Sequence, residues 1–305
     1  MTMRRHSSSH PSHRPQSELV TPDKRQQAID LYDRFTHEGT DRRAFMADMA
    51  KLAGSLAAAE LLIAGIAASP AAATVIAADD KRLTTRTQKL ANGYSAYVAE
   101  PRTRSLKPTV MVIHENRGLN DHIQDVARRL AVAGFRAVAP DFLSLQGGTP
   151  ANEDAARDAI GKLDLGKTVG DAVAILKELA KSSRGGKVGA VGFCWGGGFV
   201  NRLAVAAGSN LDAAVSYYGP APDAAEASKV KTPLLIHDAG LDTRVNATSF
   251  PWVEALRKAG TPVRFYLYEG VNHAFNNDTS AERYNKDAAD LAWTRTLDFF
   301  RRYLA

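Results

Sequence analysis

The chain has 305 residues, of which 45% are hydrophobic, 24% charged and 8% aromatic. This balance is that of a globular protein and excludes a chain that is disordered throughout. The net charge is +6, but lysine and arginine are scattered among acidic residues, so nucleic acid is not expected as a partner. The single cysteine excludes an intramolecular disulfide and a zinc site built from several thiolates.

The first forty residues are predicted to form a disordered polar segment. Residues 1–17 are rich in Ser, His, Arg and Pro and show no apolar period, so they bury too little surface to offset chain entropy. Four of the eight histidines fall in residues 1–43, at an irregular spacing that favours a solvated tail over a metal-binding one. No metal ion is therefore expected.

A pair of arginines, Arg42 and Arg43, then precedes an Ala-rich apolar run whose one charge is Glu60. This pattern is typical of a twin-arginine export signal cleaved near Ala73 or Ala78, and it predicts a periplasmic protein. The alternative is an Ala-rich helix packed on the protein, with a cytoplasmic location. A stable membrane span is not expected, because the glutamate would cost about 2.5 kcal/mol or more at the bilayer centre.

From residue 80 onward, short apolar runs predict strands and longer runs with apolar residues at helical spacing predict helices. The predicted strands are 108–114, 135–139, 187–193, 213–217, 233–237 and 263–268; the predicted helices are 121–133, 167–182, 195–207, 246–259 and 286–303. Their alternation predicts an α/β fold, a mostly parallel sheet with helices on both faces. The chain thus divides into a polar segment (1–40), the twin-arginine segment (41–79) and an α/β domain (80–305).

The residues that follow the predicted strands are the candidates for function, since ligands of such sheets bind at the carboxyl ends of the strands. The segment Gly192-Phe193-Cys194-Trp195-Gly196 follows a strand and opens a helix. It fits the G-x-nucleophile-x-G elbow, with cysteine at the nucleophile position. Because the helix N-terminus favours a thiolate, we predict that Cys194 is a nucleophile rather than a packing cysteine.

A thiolate nucleophile needs a base, and the base needs an orienting acid. In folds of this type the chain order is nucleophile, acid, histidine, so the base is His237 or His273. Asp242 follows a strand and precedes His273, which predicts a triad of Cys194, Asp242 and His273. Asp238 is the competing acid, but it leaves little loop to reach the imidazole.

Residues 108–303 resemble the dienelactone hydrolases, which are α/β-hydrolases with a Cys-His-Asp triad. The resemblance lies in the segments HENRG, APDFL, GFCWGG, YYG, the Asp242 loop and NHAF, in the order and spacing of that family. It implies an α/β-hydrolase fold that cleaves a small ester or lactone without a cofactor. It also implies that Cys194 is the nucleophile, His273 the base and Asp242 its orienting carboxylate.

The same resemblance implies that Glu115 contacts the resting thiol and takes its proton when substrate binds. A salt bridge to Arg117 or to another arginine is the alternative role for this carboxylate. Position in the chain predicts that the backbone N–H groups of Trp195 and Asn116 form the oxyanion hole.

Two positions depart from the family pattern. Characterised members bind the substrate carboxylate with two arginines, and the corresponding residues are the uncharged Leu145 and Asn277. The departure predicts an altered substrate preference. The candidate substrate-binding residues, arginines as a replacement charge and aromatic residues as an apolar lining, are Arg117, Tyr218, Arg244 and Phe275.

The leading prediction is a cysteine-dependent hydrolase of a small-molecule ester or lactone. A thioesterase or peptidase of the same fold shares the triad and differs only in its pocket. A third hypothesis is a non-catalytic protein in which Cys194 is a redox-responsive thiol. The sequence predicts no particular oligomeric state.

Overall fold

The structure, a computed structural model, describes residues 21–67, 74–103 and 105–305. They form two compact units, one ending at Ile66 and the other beginning at Ala67. The polar tail of residues 1–17 and the predicted cleavage point at Ala73 lie outside the described residues.

The first unit contains three helices, α1 (Pro22–His37), α2 (Arg42–Ala53) and α3 (Leu56–Ile66). Helix α1 begins where the side chain of Thr21 accepts a hydrogen bond from the backbone of Lys24, which is a common N-cap. The ring of Phe35 in α1 stacks on that of Phe45 in α2, with centroids 4.3 Å apart. The expectation of disorder over residues 1–40 is therefore wrong for α1, whose apolar residues recur at helical spacing and are buried.

Helices α2 and α3 are separated by a sharp bend. Gly54, with a φ of 87°, ends α2 in the left-handed conformation, and the two helices meet at 104°. Among the described residues, no single helix has both the length and the apolar composition of a membrane span, and this bent pair reaches them only when its two members are taken together.

The second unit is built on one eight-stranded sheet in the order β1-β2-β4-β3-β5-β6-β7-β8. The strands are β1 (Leu83–Lys89), β2 (Ser95–Pro101), β3 (Thr109–Ile113), β4 (Arg136–Asp141), β5 (Val188–Phe193), β6 (Ala213–Tyr217), β7 (Leu234–Ala239) and β8 (Val263–Tyr268). The helices are α4 (Asp121–Val132), α5 (Glu153–Gly161), α6 (Leu165–Ala180), α7 (Trp195–Ala206), α8 (Thr243–Lys258) and α9 (Lys286–Leu304).

Strand directions confirm the predicted mostly parallel α/β fold. In the order of the sheet, all neighbouring pairs in the run β4-β3-β5-β6-β7-β8 are parallel. Strand β2 pairs antiparallel with both β1 and β4. The six predicted strands are β3 to β8. The hairpin β1–β2 and helix α5 were not predicted; β1 is mainly polar and only one of its residues is buried, so it lacks the apolar signal of the central strands.

Helices cover both faces of the sheet. Val110 and Val112 of β3 contribute to a core with α4 and α9, and the alternate residues Met111 and Ile113 contribute to a second core with α6, α7 and α8. Because β3, β5, β6, β7 and β8 run in the same direction, the loops after these five strands leave the sheet at one edge. Those loops carry the predicted site residues.

Candidate active site

Cys194 lies at the turn between β5 and α7. Its φ of 57° is in the positive range that residues with a side chain rarely adopt. The turn requires glycine on both sides: a Cβ on Gly192 would lie 2.1 Å from the carbonyl oxygen of Gly196, and a Cβ on Gly196 would lie 2.4 Å from that of Ile113. The predicted elbow is thus a tight contact between the start of α7 and the end of β3.

Three residues other than glycine have positive φ in the described part of the chain: Cys194, Tyr218 (38°) and Ala274 (64°). Tyr218 follows β6, and Ala274 follows His273. Strained backbone of this kind concentrates at functional sites, where the surrounding structure holds it in place. All three therefore mark the edge of the sheet that the sequence singles out.

The carboxylate of Asp242 uses its two oxygens for different contacts. Oδ1 accepts the backbone N–H of Val245 at 3.1 Å and so caps helix α8. Oδ2 lies 2.5 Å from Nδ1 of His273. Because the cap fixes the carboxylate, its second oxygen orients the imidazole, and both residues are buried.

The charges around His273 favour its protonated form. Burial alone would lower the pKa of His273, but the negative charges of Asp242 and Cys194 outweigh it and raise that pKa to about 10. Burial would likewise raise the pKa of Asp242, yet the charge and hydrogen bond of His273, helped by Arg244, leave it below its usual value. The Sγ of Cys194 lies within 4.8 Å of a ring nitrogen of His273.

These contacts place the Cys194 thiol, the His273 imidazole and the Asp242 carboxylate next to one another, in that order. In this arrangement a protonated imidazole can stabilise the thiolate and later give its proton to a leaving group, while the carboxylate stabilises the imidazolium. His237, the other candidate base, is engaged elsewhere: its Nδ1 contacts the Tyr268 hydroxyl at 2.9 Å and its Nε2 contacts Thr296 at 3.2 Å. Burial, and then the charge of Arg295, lower the pKa of His237 to about 3, so it stays neutral.

Glu115 lies two residues after the end of β3 and is 6% exposed. Its Oε2 accepts a hydrogen bond from Nδ2 of Asn277 at 2.9 Å. Arg117, the alternative partner, donates to the backbone oxygen of Glu153 at 3.0 Å and to Oδ1 of Asp154 at 3.3 Å. The structure therefore joins Glu115 to the uncharged residue that stands at a family arginine position.

Trp195 and Asn116 flank this site. Trp195 is the first residue of α7, so its backbone N–H has no partner one turn earlier in the helix. Its ring stacks on that of His114, with centroids 5.3 Å apart. Nδ1 of His114 donates to the carbonyl of Glu115 at 2.8 Å while its Nε2 accepts the backbone N–H of Phe142, which holds the turn that carries Asn116.

The four predicted substrate-binding residues lie in different surroundings. Tyr218 is fully buried, and its hydroxyl has no hydrogen-bond partner in the described residues. Burial, followed by the charges of Glu115 and Cys194, raises its pKa well above the usual value. Phe275 is fully buried behind Tyr218, with ring centroids 5.5 Å apart. Arg244 lies in the first turn of α8 beside Asp242.

The two departures from the family pattern are far from equivalent in the structure. Asn277 contacts Glu115, as described above, whereas Leu145 is 47% exposed and lines a cavity of about 500 Å³ between the loop after β4 and helices α5 and α6. Residues lining that cavity include Tyr94, Lys162 and Lys167 but none of the triad.

Sequence reasoning missed two residues that contact the site. Thr279 binds the side chain of Asn277, and Asp238, considered only as a competing acid, is a fully buried carboxylate near Asp242 and His273. For Asp238 the signal was available, since a charged residue within an apolar strand is costly unless it is protonated or paired. Nothing in the spacing indicated Thr279.

Comparison with known proteins identifies the class. The sequence model of the dienelactone hydrolase family matches residues 94–304, so the chain belongs to this family. A relative from Saccharolobus solfataricus, described as "Putative carboxymethylenebutenolidase", is 33% identical over 68% of this chain and 93% of its own. One of the same description from Escherichia coli O157:H7 is 30% identical over 78% of this chain and 94% of its own.

The solved structures agree. The crystal structure described as a "Putative Dienelactone Hydrolase" from Klebsiella pneumoniae superposes with a TM-score of 0.66 at 26% identity, covering 72% of this chain and 99% of its own. The fold is that of the α/β-hydrolases, and the protein is a hydrolase related to carboxymethylenebutenolidases.

Proposed function

We propose that the protein hydrolyses an ester or lactone through an acyl-cysteine formed on Cys194. The observation that carries this proposal is the buried cluster of Cys194, His273 and Asp242. Cys194 lies in the strained turn that opens α7. A thiol, an imidazole and a carboxylate in this order supply a nucleophile, a proton carrier and an orienting charge.

In the acylation step, the thiolate of Cys194 attacks the substrate carbonyl carbon, a C–S bond forms and the carbonyl electron pair moves to oxygen. Collapse of this intermediate breaks the C–O bond, and the imidazolium of His273 gives its proton to the leaving oxygen. The pKa of His273, raised to about 10, supplies that proton at neutral pH. Glu115 accepts the proton that the resting thiol gives up, as the resemblance to dienelactone hydrolases implies.

In the deacylation step, neutral His273 takes a proton from a water molecule whose oxygen attacks the thioester carbon. The C–S bond then breaks, which releases the carboxylic acid and the thiolate. Glu115 returns its proton to the sulfur and so restores the resting thiol. In both steps the developing oxyanion is held by the backbone N–H groups of Trp195 and Asn116. Asp242 keeps the ring in place throughout.

The substrate is proposed to be a neutral ester or lactone. Neither Leu145 nor Asn277 offers a positive charge at the family's carboxylate-binding positions. Tyr218 lies beside the charges of Glu115 and Cys194, where its hydroxyl is suited to donate to a substrate oxygen. Arg117 contacts Glu153 and Asp154, so its charge is already balanced.

The experiment is a screen of short-chain p-nitrophenyl esters, enol lactones, thioesters and peptide esters with the parent, Cys194→Ala and Cys194→Ser proteins. We expect ester and lactone turnover in the parent, its loss in Cys194→Ala, and an acyl adduct on Cys194 detectable by mass spectrometry after a rapid quench. Equal turnover by parent and Cys194→Ala would overturn the proposal. Preference for thioesters or peptides would move it to a thioesterase or peptidase, and no turnover together with stable sulfenylation by peroxide would favour a redox-responsive thiol.

We further propose that residues 41–79 direct export. The arginine pair stands in the first turn of α2, where Asp41 caps the helix by accepting from Arg43 and Ala44. The apolar composition of the residues after this pair supports a signal of the twin-arginine type.

A further inference from the structure

Glu115 is held by a neutral donor that is itself fixed. The amide Nδ2 of Asn277 donates to Oε2 of Glu115 at 2.9 Å, across 162 residues of sequence. Asn277 is 1% exposed. The contact therefore links the loop after β3 with the loop that follows His273.

Thr279 determines which edge of the Asn277 amide meets the carboxylate. The backbone N–H and the Oγ1 hydroxyl of Thr279 both donate to Oδ1 of Asn277, at 3.0 and 2.6 Å. Since the amide oxygen accepts both of these bonds, only the NH₂ group of Asn277 can face Glu115. We call these two residues the Asn277–Thr279 clamp.

The clamp binds one oxygen of the Glu115 carboxylate, Oε2, and does not bind the other. Oε1 of Glu115 is buried and makes no hydrogen bond within the described part of the chain. A buried carboxylate with one donor is only partly compensated for the water it has lost. Tyr218 lies in the same buried cluster, with its ring centroid 5.0 Å from that of His273, and burial, followed by the charges of Glu115 and Cys194, raises its pKa.

From this geometry we infer that Asn277, oriented by Thr279, is a positioning residue that holds Glu115 by Oε2 and keeps Oε1 as the proton acceptor for the Cys194 thiol. The inference rests on the proposed function, because it concerns the proton that Cys194 gives up before attack. Donation from Asn277 fixes the orientation of the carboxylate, so a variant without this donor should accept the thiol proton less readily. Asn277 is neutral and adds no positive charge when it holds Glu115. No substrate anion is therefore needed to balance such a charge.

Asn277→Asp tests this sharply. The change is nearly isosteric, it keeps an acceptor for both bonds from Thr279, and it turns only the donor to Glu115 into a second carboxyl group. Because the chain has one cysteine, alkylation by iodoacetamide reports on Cys194 alone and needs no substrate. We expect the alkylation rate at pH 7 to fall about tenfold and the pH of half-maximal rate to rise by about one unit, which corresponds to one pKa unit. The matched control is Asn152→Asp, which makes the same chemical change at the exposed N-cap of α5.

Thr279→Val and Thr279→Ser form the second test. Valine removes the hydroxyl donor and keeps the backbone one, whereas serine keeps both. Loss of one hydrogen bond predicts a three- to tenfold drop of about the same size in kcat and in alkylation rate for Thr279→Val, with KM for a short ester little changed, and recovery in Thr279→Ser.

Each outcome bears on the inference separately from the proposed function. Unchanged alkylation profiles in Asn277→Asp and Thr279→Val would overturn the inference, as would equal losses in Thr279→Val and Thr279→Ser with a lower melting temperature in both. Absence of ester turnover in the parent, with the expected shifts in alkylation, would instead reject the hydrolase assignment and leave the clamp standing.

Discussion

Asp238 and Asp242 are buried carboxylates four residues apart at the end of β7, and the protein shifts their pKa values in opposite directions. Burial, with the charge of Asp242 adding to it, raises the pKa of Asp238 to about 7. The pKa of Asp242 is lowered because His273 and the cap of α8 compensate its burial. One carboxyl group is thus suited to be neutral near pH 7 while its neighbour is charged.

The first prediction concerns stability and Asp238. Its folded pKa of about 7 lies above the unfolded value of 3.8, so the free energy of unfolding falls as pH rises from about 4 through 7. Asn cannot ionise, and Asp238→Asn should remove this fall. At about 1.4 kcal/mol per pKa unit, the variant should gain on the order of a few kcal/mol relative to the parent between pH 4 and pH 8.

Urea unfolding at pH 4, 6 and 8 measures this difference. Asp287→Asn, at an exposed position in the first turn of α9, is the control and should follow the parent at each pH. A parent and an Asp238→Asn variant with the same pH dependence would show that Asp238 is charged in the folded protein.

The second prediction concerns His273. Its folded pKa of about 10 lies above the unfolded value of 6.5, so its contribution to stability is fully present below pH 6.5 and is lost as pH rises through about 10. Asp242→Asn removes the main charge that raises this pKa. The variant should lose ester turnover by on the order of 10²-fold or more, and its loss of stability between pH 7 and pH 10 should be smaller than that of the parent.

The measurements are steady-state kinetics at pH 7.5 and unfolding curves from pH 7 to pH 10.5. If the variant keeps the alkaline loss of the parent, the charge of Asp242 is not what raises the pKa of His273.

The third prediction tests the elbow. In Gly196→Ala the new methyl group would lie 2.4 Å from the backbone oxygen of Ile113 and 2.5 Å from that of His114, and backbone atoms of a central strand cannot move away. We expect a large loss of stability, above about 3 kcal/mol, or an insoluble protein. Gly170→Ala in α6 meets nothing within 4 Å and should stabilise the protein by about 0.5–1 kcal/mol. Thermal unfolding of both variants decides the comparison, and a soluble Gly196→Ala protein with the parent's melting temperature would contradict it.

The residues of the site show which features could be predicted from the sequence. Cys194, Asp242 and His273 follow strands with strong apolar signals, and chain order leaves few ways to combine them, so their meeting at one edge was predictable. The contact of Glu115 with Asn277 spans 162 residues and depends on loop conformations that carry no periodic signal. Helix α1 was missed because its apolar residues stand beside a tail whose composition is typical of disorder. Strand β1 was missed because it is mainly polar and only one of its residues is buried.

The fourth prediction concerns export. If residues 41–79 act as a twin-arginine signal, replacing Arg42 and Arg43 with Lys keeps the charge but removes the arginine pair that the signal requires. The protein should then stay in the cytoplasm uncleaved, while the parent appears in the periplasm with a new N-terminus near Ala73 or Ala78. Cell fractionation and N-terminal sequencing measure both, and a mature N-terminus at Met1 in native cells would contradict the prediction.

The last prediction concerns the charge of the substrate. An ion pair between a desolvated substrate carboxylate and an arginine contributes several kcal/mol. Leu145 and Asn277 supply no such charge. We therefore expect kcat/KM for a neutral short-chain ester to exceed that for a matched lactone that bears a carboxylate.

Variants at the same positions test the cause of this preference. Leu145 is 47% exposed and lines a cavity that none of the triad residues line, so Leu145→Arg should fold without lowering kcat/KM for the neutral ester. If the carboxylate of the lactone reaches that cavity, the variant should raise kcat/KM for the anionic lactone and narrow the gap between the two substrates. The opposite ranking in the parent, together with loss of the anionic activity in Arg117→Ala or Arg244→Ala, would show that recognition of the carboxylate has moved to one of those arginines. For Arg117 that would require its contacts with Glu153 and Asp154 to give way to the substrate, and the anionic activity should then rise in Asp154→Asn, which weakens the competition.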